Sequence, residues 1–196
     1  MRITTGKYRN RKLHMPRGIR PTQDKVRKAV FDILGDISGL TFLELFAGSG
    51  AVGFEALSRG AAELTLVECN PNSVLAIKRN IALLKACACN LYHLESEKAI
   101  KLLNFNKKSF DIIFTDPPYY KGLAPRHCSG SMAGAVEPLA KKILQTLEGY
   151  DILSPNGLIV VQHSKLDQLP NNGLKFSLIK EAKYGDTWLS IFRKKE

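Results

Sequence analysis

Two short stretches of this chain carry residue types that could do chemistry. The first runs from Glu44 to Gly53 (ELFAGSGAVG) and holds a G-x-G-x-x-G pattern at Gly48, Gly50 and Gly53. Glycines allow a tight turn and let a ligand come close to the backbone, and a helix that starts there offers unpaired N–H groups. Glu68 follows Glu44 by 24 residues and can accept hydrogen bonds from ribose hydroxyls. The second stretch is Asp116-Pro117-Pro118-Tyr119. An exocyclic amine of guanine or adenine is a poor nucleophile, because its lone pair is delocalised into the ring. The Asp116 carboxylate and the Pro117 carbonyl could accept its two hydrogens, orient the nitrogen and stabilise the positive charge that develops on it. The prolines fix φ and stiffen the loop, and Tyr119 can stack on an unpaired or flipped base.

The glycine pattern alone also fits an NAD site, or a plain turn that packs a helix on a sheet. Glu44, ahead of the glycines, separates the first two. A carboxylate there repels a pyrophosphate and suits a cationic amino or sulfonium group, so S-adenosylmethionine fits the motif better than NAD. DPP can likewise be a proline turn with Asp116 as a helix cap. The two motifs at this spacing favour the chemical reading.

The elements that must position these residues alternate. Strands are expected at 41–46, 63–68, 91–94, 109–116 and 157–163. Helices are expected from Thr22, a good N-cap, to Gly35, then from the glycine turn to Gly60, at 71–85, at 96–104 and around 136–149. Such alternation implies a parallel sheet covered on both faces. Ligands in such sheets bind beyond the carboxyl ends of the strands, which would bring DPPY to the glycine loop. Two further strands, 174–182 and 187–193, flank a turn at Gly185-Asp186 and can pair antiparallel. The alternating Trp188 and Phe192 are expected in the core. Residues 2–13 read as a small hairpin, with Ile3, Tyr8 and Leu13 as apolar anchors.

The net charge is +11, and +9 of it lies in residues 1–28, with ten cations against Asp24. Such a segment suits a phosphate backbone, although a solvated tail or contact with anionic lipid is the plainer alternative. No apolar run approaches the ~20 residues of a membrane span, and no secretory signal is visible. The cysteines Cys69, Cys87, Cys89 and Cys128 form no CxxC pair, and His14, His93, His127 and His163 lack ligand spacing. No metal is therefore expected, and a cytoplasmic, reduced chain is. His163, at a strand end, is a candidate pocket residue.

The segments RPTQDKVRKAVFDIL (20–34), ELFAGSGAVGFEALSRGA (44–61), VE (67–68) and DPPY (116–119) together resemble the bacterial RsmD family. The opening RITTGKYRNRKL (2–13) is similar to that family's N-terminal hairpin. The match runs through residues 2–122 and resumes at 157–193. DPPY alone is shared with adenine-N6 enzymes, and the combination with R-P-T-x-D is more specific. The resemblance implies a 16S ribosomal RNA guanine-N2 methyltransferase that uses S-adenosylmethionine. It implies an α/β, Rossmann-like class I fold, with a seven-stranded mixed sheet, helices on both faces and a small basic N-terminal β-hairpin. The division would be a basic hairpin and loop over 1–21 and a methyltransferase domain over 22–196. Glu44, Phe46, Gly48 and Gly50 would contact the cofactor, with Glu68 on the ribose, the adenine near Ser96-Glu97, and Thr22 closing over it. Asp116 to Tyr119 would hold the base. Lys7, Arg9, Arg11, Lys12 and Arg20 would grip 16S rRNA within the small subunit or its assembly intermediate. A monomer is expected.

Two departures stand out. Relatives often carry Glu at the end of the late strand, where this chain has Gln162-His163. The segment 124–137 (APRHCSGSMAGAVE) is longer than its counterpart and reads as a loop. The alternatives to the main reading are an adenine-N6 methyltransferase on RNA or DNA and a non-catalytic RNA-binding or ribosome assembly factor. An NAD-dependent oxidoreductase would leave DPPY and the basic segment unexplained.

Overall fold

The computed structural model describes residues 1–16, 24–118, 137–170 and 175–195. Within them the helices are α1 (Asp24–Leu34), α2 (Ala51–Ser58), α3 (Pro71–Leu84), α4 (Ser96–Phe105) and α5 (Leu139–Gly149). The strands are β1 (Thr41–Leu45), β2 (Glu63–Val67), β3 (Cys89–Tyr92), β4 (Phe110–Thr115), β5 (Leu153–Ser164), β6 (Phe176–Tyr184) and β7 (Thr187–Lys194). They form one seven-stranded sheet in the order β3-β2-β1-β4-β5-β7-β6. The first five strands are parallel, and β7 pairs antiparallel with β5 and with β6. This is the expected Rossmann-like class I methyltransferase arrangement. The chain winds outward from β1 to β3 and then returns to β4 on the other side of β1. The β1/β4 boundary is therefore the switch point where such sheets leave a crevice.

Apolar side chains of the central strands alternate between two cores. On one face Phe42, Leu64, Leu66, Ile112, Phe114 and Val160 pack with Val30, Phe31, Phe54 and Ile77 of α1, α2 and α3. On the other, Leu43, Leu45, Val67, Ile113, Ile159 and Val161 pack with Ile100, Leu103, Ile143 and Leu144 of α4 and α5. Burial on both faces explains why these strands read as near-continuous apolar runs. Local signals set the ends. Asn70 caps α3 by accepting from Asn72 N and Ser73 N, with Pro71 at the first helical position.

Several boundaries differ from the sequence reading. β3 begins two residues early, because its register on β2 (Leu64 with Cys89, Val67 with Tyr92) follows the ladder at a partly exposed edge where apolar alternation is weak. β5 begins at Leu153, four residues early, with a bulge between its two pairings to β4. Trp188 is only partly buried. Lys183 sits over its ring at 4.0 Å and His163 meets it edge-on, whereas Phe192 is in the core.

Residues 2–13 do not form the two strands of a hairpin. A single antiparallel bridge joins Arg2 to Lys12, and Ile3 N donates to Arg11 O at 3.1 Å. Between them, the amides of Arg9, Asn10 and Arg11 bond within the segment, to Gly6 O, Ile3 O and Tyr8 O, while those of Thr4, Thr5, Lys7 and Tyr8 are taken by α2. Glu55, fully buried, accepts from Thr4 N at 2.8 Å, Thr4 Oγ1 at 2.6 Å and Thr5 N at 3.1 Å. Ser58 Oγ donates to Thr5 O and accepts from Tyr8 N, while Ser58 O accepts from Lys7 N at 2.8 Å. Arg27 of α1, also buried, pairs with Glu55 at 3.6 Å and donates to Arg2 O at 2.7 Å. One of the ten cations counted above is thus structural.

Gly6 sits at φ 79°, and a Cβ on it would lie 1.7 Å from Ser58 O. That neighbour is backbone and cannot move aside. Gly6→Ala should therefore release residues 3–8 from α2 while the sheet stays protected. Hydrogen exchange checks this: fast exchange at Thr4, Thr5, Lys7 and Tyr8 with unchanged protection in β1 and β4 is the expected outcome.

Candidate functional site

The crevice is built from the end of β1 outward. Phe46 (φ 56°), Gly48 (φ 57°) and Gly50 (φ 73°) all adopt left-handed backbone, so the chain turns back sharply before α2. Gly50 is the N-cap of α2 and has no side chain to satisfy the first N–H groups. Glu44 supplies what it lacks. Its side chain lies on the α2 face of the sheet, 3% exposed, and accepts from Gly53 N at 2.8 Å and from Val52 N. A Cβ on Gly53 would come within 2.8 Å of Glu44 Oε2 and 2.6 Å of Leu64 Cδ1, so the third glycine is needed for close packing.

Glu68, just past β2, is buried and clamps the same loop. Its Oε2 accepts from Gly48 N and its Oε1 from Asn70 N, each at 2.7 Å. A third clamp comes from α3. The fully buried Asn80 donates to Ser49 O at 3.1 Å and to His14 O at 3.0 Å, and accepts from His14 N at 2.7 Å. One amide thereby ties the glycine loop to the basic N-terminal segment.

Asp116 follows β4 and is partly exposed, Pro117 is buried and Pro118 exposed. Gln162 of β5 donates from Nε2 to Asp116 Oδ2 at 2.9 Å. Glu44, Glu68 and Asp116 thus converge from three adjacent strand ends. Burial pushes the Glu44 carboxyl up to about 8, the charges of Asp116 and Glu68 add to the rise, and the Gly53 and Val52 N–H groups oppose it.

The other predicted residues fall as follows. Lys7, Arg9, Arg11 and Lys12 are exposed on the segment strapped to α2. Phe46 packs against the α4/α5 core. Ser96 is buried at the start of α4, and Glu97 forms a partly exposed ion pair with Lys142 of α5 at 2.8 Å. Thr22, Arg20, Tyr119 and most of the 124–137 segment lie outside the described residues. His163 is not a pocket residue. It faces β7, 1% exposed, with Nε2 2.9 Å from Ser190 Oγ, and burial holds its pKa below the usual value. Among the described residues no group of three or more His, Cys, Asp or Glu could hold a metal ion.

Sequence reasoning missed Asn80 and Glu55 as organising residues. The signal for Asn80 was available: it falls on the apolar side of α3 with Val74, Ile77 and Leu84, and a polar residue there needs partners. Glu55 gave less warning, because its buried partners come from residues 4, 5 and 27.

Glu44 makes stability depend on pH. Its folded value, about 8, lies above the ordinary 4.5, so the folded state holds a proton that the unfolded chain releases. This contribution is complete below about 4.5 and is lost as pH rises through about 8. Glu44→Gln keeps an acceptor for Gly53 N and never ionises. Thermal unfolding should show the variant gaining on the parent as pH rises from about 5 to about 9. Parallel curves would place the raised affinity elsewhere.

With the fold and this crevice in view, comparison with known proteins gives a consistent answer. The chain matches the family described as Conserved hypothetical protein 95 over residues 1–193. It is 32% identical over 197 residues to Ribosomal RNA small subunit methyltransferase D of Escherichia coli, covering 99% of this chain and 90% of that one. A structure of a hypothetical protein from Thermus thermophilus superposes with a TM-score of 0.78 at 31% identity, covering 98% of this chain and 99% of that one. The fold extends to a ribosomal protein L11 methylase of Lactobacillus delbrueckii, with a TM-score of 0.67 at 16% identity over 97% of this chain and 89% of that one. The chain belongs to the Conserved hypothetical protein 95 family, the RsmD family that its own motifs resemble.

Proposed function

We propose that this chain transfers the methyl group of S-adenosylmethionine to the exocyclic N2 of a guanine in 16S rRNA, within the small ribosomal subunit or an assembly intermediate. The observation that carries the reading is the convergence of Glu44, Glu68 and Asp116 at the β1/β4 switch point. Two carboxylates, Glu68 and Asp116, with the buried carboxyl of Glu44 between them, favour a cationic, phosphate-free nucleoside around the glycine loop and oppose a dinucleotide. In this reading Glu44, Phe46, Gly48 and Gly50 line the methionine end, and Glu68 keeps its loop contacts while accepting from the ribose. The adenine lies toward Ser96 and Glu97, whose exposed pair with Lys142 is weak enough to yield to a ligand. Thr22 closes the site.

Asp116 and the Pro117 carbonyl would accept the two hydrogens of the target amine, with Tyr119 stacked on the base. The amine nitrogen then forms its bond to the methyl carbon as the sulfur–carbon bond breaks, and the cationic product loses a proton to water. The protein's part is orientation and charge stabilisation. Support for the RNA class comes from the exposed Lys7, Arg9, Arg11 and Lys12, held on α2 beside the cofactor loop. The E. coli relative, whose name specifies small-subunit ribosomal RNA, favours the same substrate.

The test is to incubate the protein with radiolabelled S-adenosylmethionine and small subunits from a strain that lacks it, then identify the labelled nucleoside. N2-methylguanosine is the expected product. N6-methyladenine would move the target base, and no label with intact cofactor binding would indicate a binding role. Asp116→Ala should abolish transfer while calorimetry shows cofactor binding retained; equal loss of both would remove Asp116 from the base. Replacing Arg9, Arg11 and Lys12 by Gln should reduce the slope of log affinity against log salt by about 2 to 3. An unchanged slope would take this segment out of the RNA site.

A further inference from the structure

Gln162 lies near the end of β5, beside the end of β4. It is 6% exposed, and its Nε2 donates to Asp116 Oδ2 at 2.9 Å. The contact is dictated by the sheet. β4 and β5 are in parallel register through Thr115 and Val161, so the next residues on each strand, Asp116 and Gln162, come out level. The neighbouring His163 points the other way and is held by Ser190 Oγ and Ser164 O, each at 2.9 Å, which anchors the strand end on its opposite side.

We propose that Gln162 is a positioning residue for methyl transfer, its amide holding Asp116 Oδ2 and so fixing the plane in which the carboxylate meets the target amine. This rests on the reading of Asp116 as the group that receives the base. The amide has one property that an acid in its place would lack. It donates a hydrogen at every pH, whereas two carboxyls at this separation cannot both ionise and must share a proton.

The surroundings sharpen the difference. Beyond Asp116 on β4, the described charged groups toward this face are Glu44 of β1 and Glu68 of β2, both acidic. Leu189 lies opposite Gln162 on β7. In the turn after β5, Lys165 is paired with Asp186 at 2.6 Å and Asp167 accepts from Ser164 N at 3.1 Å. None of these described contacts supplies the donor that a charged Glu at 162 would need.

The experiment compares the parent protein, Gln162→Leu, Gln162→Glu and Asp116→Ala in steady-state methylation of deficient small subunits. Calorimetry of S-adenosylmethionine binding runs in parallel. Gln162→Leu should lower kcat by about 10- to 100-fold, the scale set by loss of orientation, with KM and Kd for S-adenosylmethionine changed less than about twofold. Gln162→Glu should approach parent activity near pH 6, where the pair shares a proton, and fall about tenfold or more relative to the parent by pH 9. A variant that merely packs or folds badly would lose activity equally at every pH. Parent-like kcat in Gln162→Leu overturns the proposal, as does a Gln162→Glu profile parallel to the parent's. If Asp116→Ala stays active, the role of Asp116 has failed and this inference with it. If Asp116→Ala is dead while Gln162→Leu is fully active, the inference fails alone.

Discussion

A carboxylate buried between a sheet and the start of a helix organises this protein. The Glu44 side chain leaves β1 near its end and reaches the N-terminus of α2, where Gly50 provides no cap of its own. Burying an acid is costly, and here the cost is offset by two N–H groups and the positive end of the helix. The loop between Glu44 and Gly53 must then be tight enough to bring helix and strand into contact, which explains the left-handed turns at Phe46, Gly48 and Gly50. Glu68 and Asn80 fix the loop from the other two sides. The shape of the crevice is thus set by polar contacts already made within the chain, so a ligand would meet a preformed wall.

A second buried acid organises the back of the same helix. Glu55 follows Gly53 on α2 and gathers Thr4, Thr5, Arg27 and Arg59 around one carboxylate. The helix that carries the glycine loop at its start therefore carries the basic segment at its end. The buried Arg27 guanidinium is compensated by Asp24 at 3.1 Å, Arg2 O at 2.7 Å and Glu55 at 3.6 Å. Removing one member of such a pair typically costs about 3–5 kcal/mol, more than adding a surface cation could return.

Much of this was legible in the sequence. The apolar runs of β1, β4 and β5 and the glycine pattern carry their own grammar, and the strand–helix alternation leaves few topologies open. Glu44, Glu68 and Asp116 were legible because each stands at a strand end next to a turn motif. The edge strand β3 was misplaced by two residues, because a half-exposed strand takes its register from its neighbour. The N-terminal segment was legible only in part, for a related reason. Its ends pair antiparallel, but the N–H groups of Thr4, Thr5, Lys7 and Tyr8 are claimed by Glu55 and Ser58, some fifty residues away, and local pattern carries no information about such partners. Gln162 was visible as a departure, but its contact with Asp116 depends on the β4/β5 register, which only the assembled sheet defines.

The strap formed by residues 2–14 also fixes an order of events. Their anchors lie at Glu55, Ser58 and Asn80, between 50 and 66 positions downstream. Residues 4–8 need α2 to dock on, and His14 needs Asn80 of α3 as well, so the segment cannot close until both helices are in place. Contacts of such long sequence separation also form late in folding, because closing the chain over that distance costs entropy before any bond repays it. The basic segment is consequently among the last parts of the molecule to be folded.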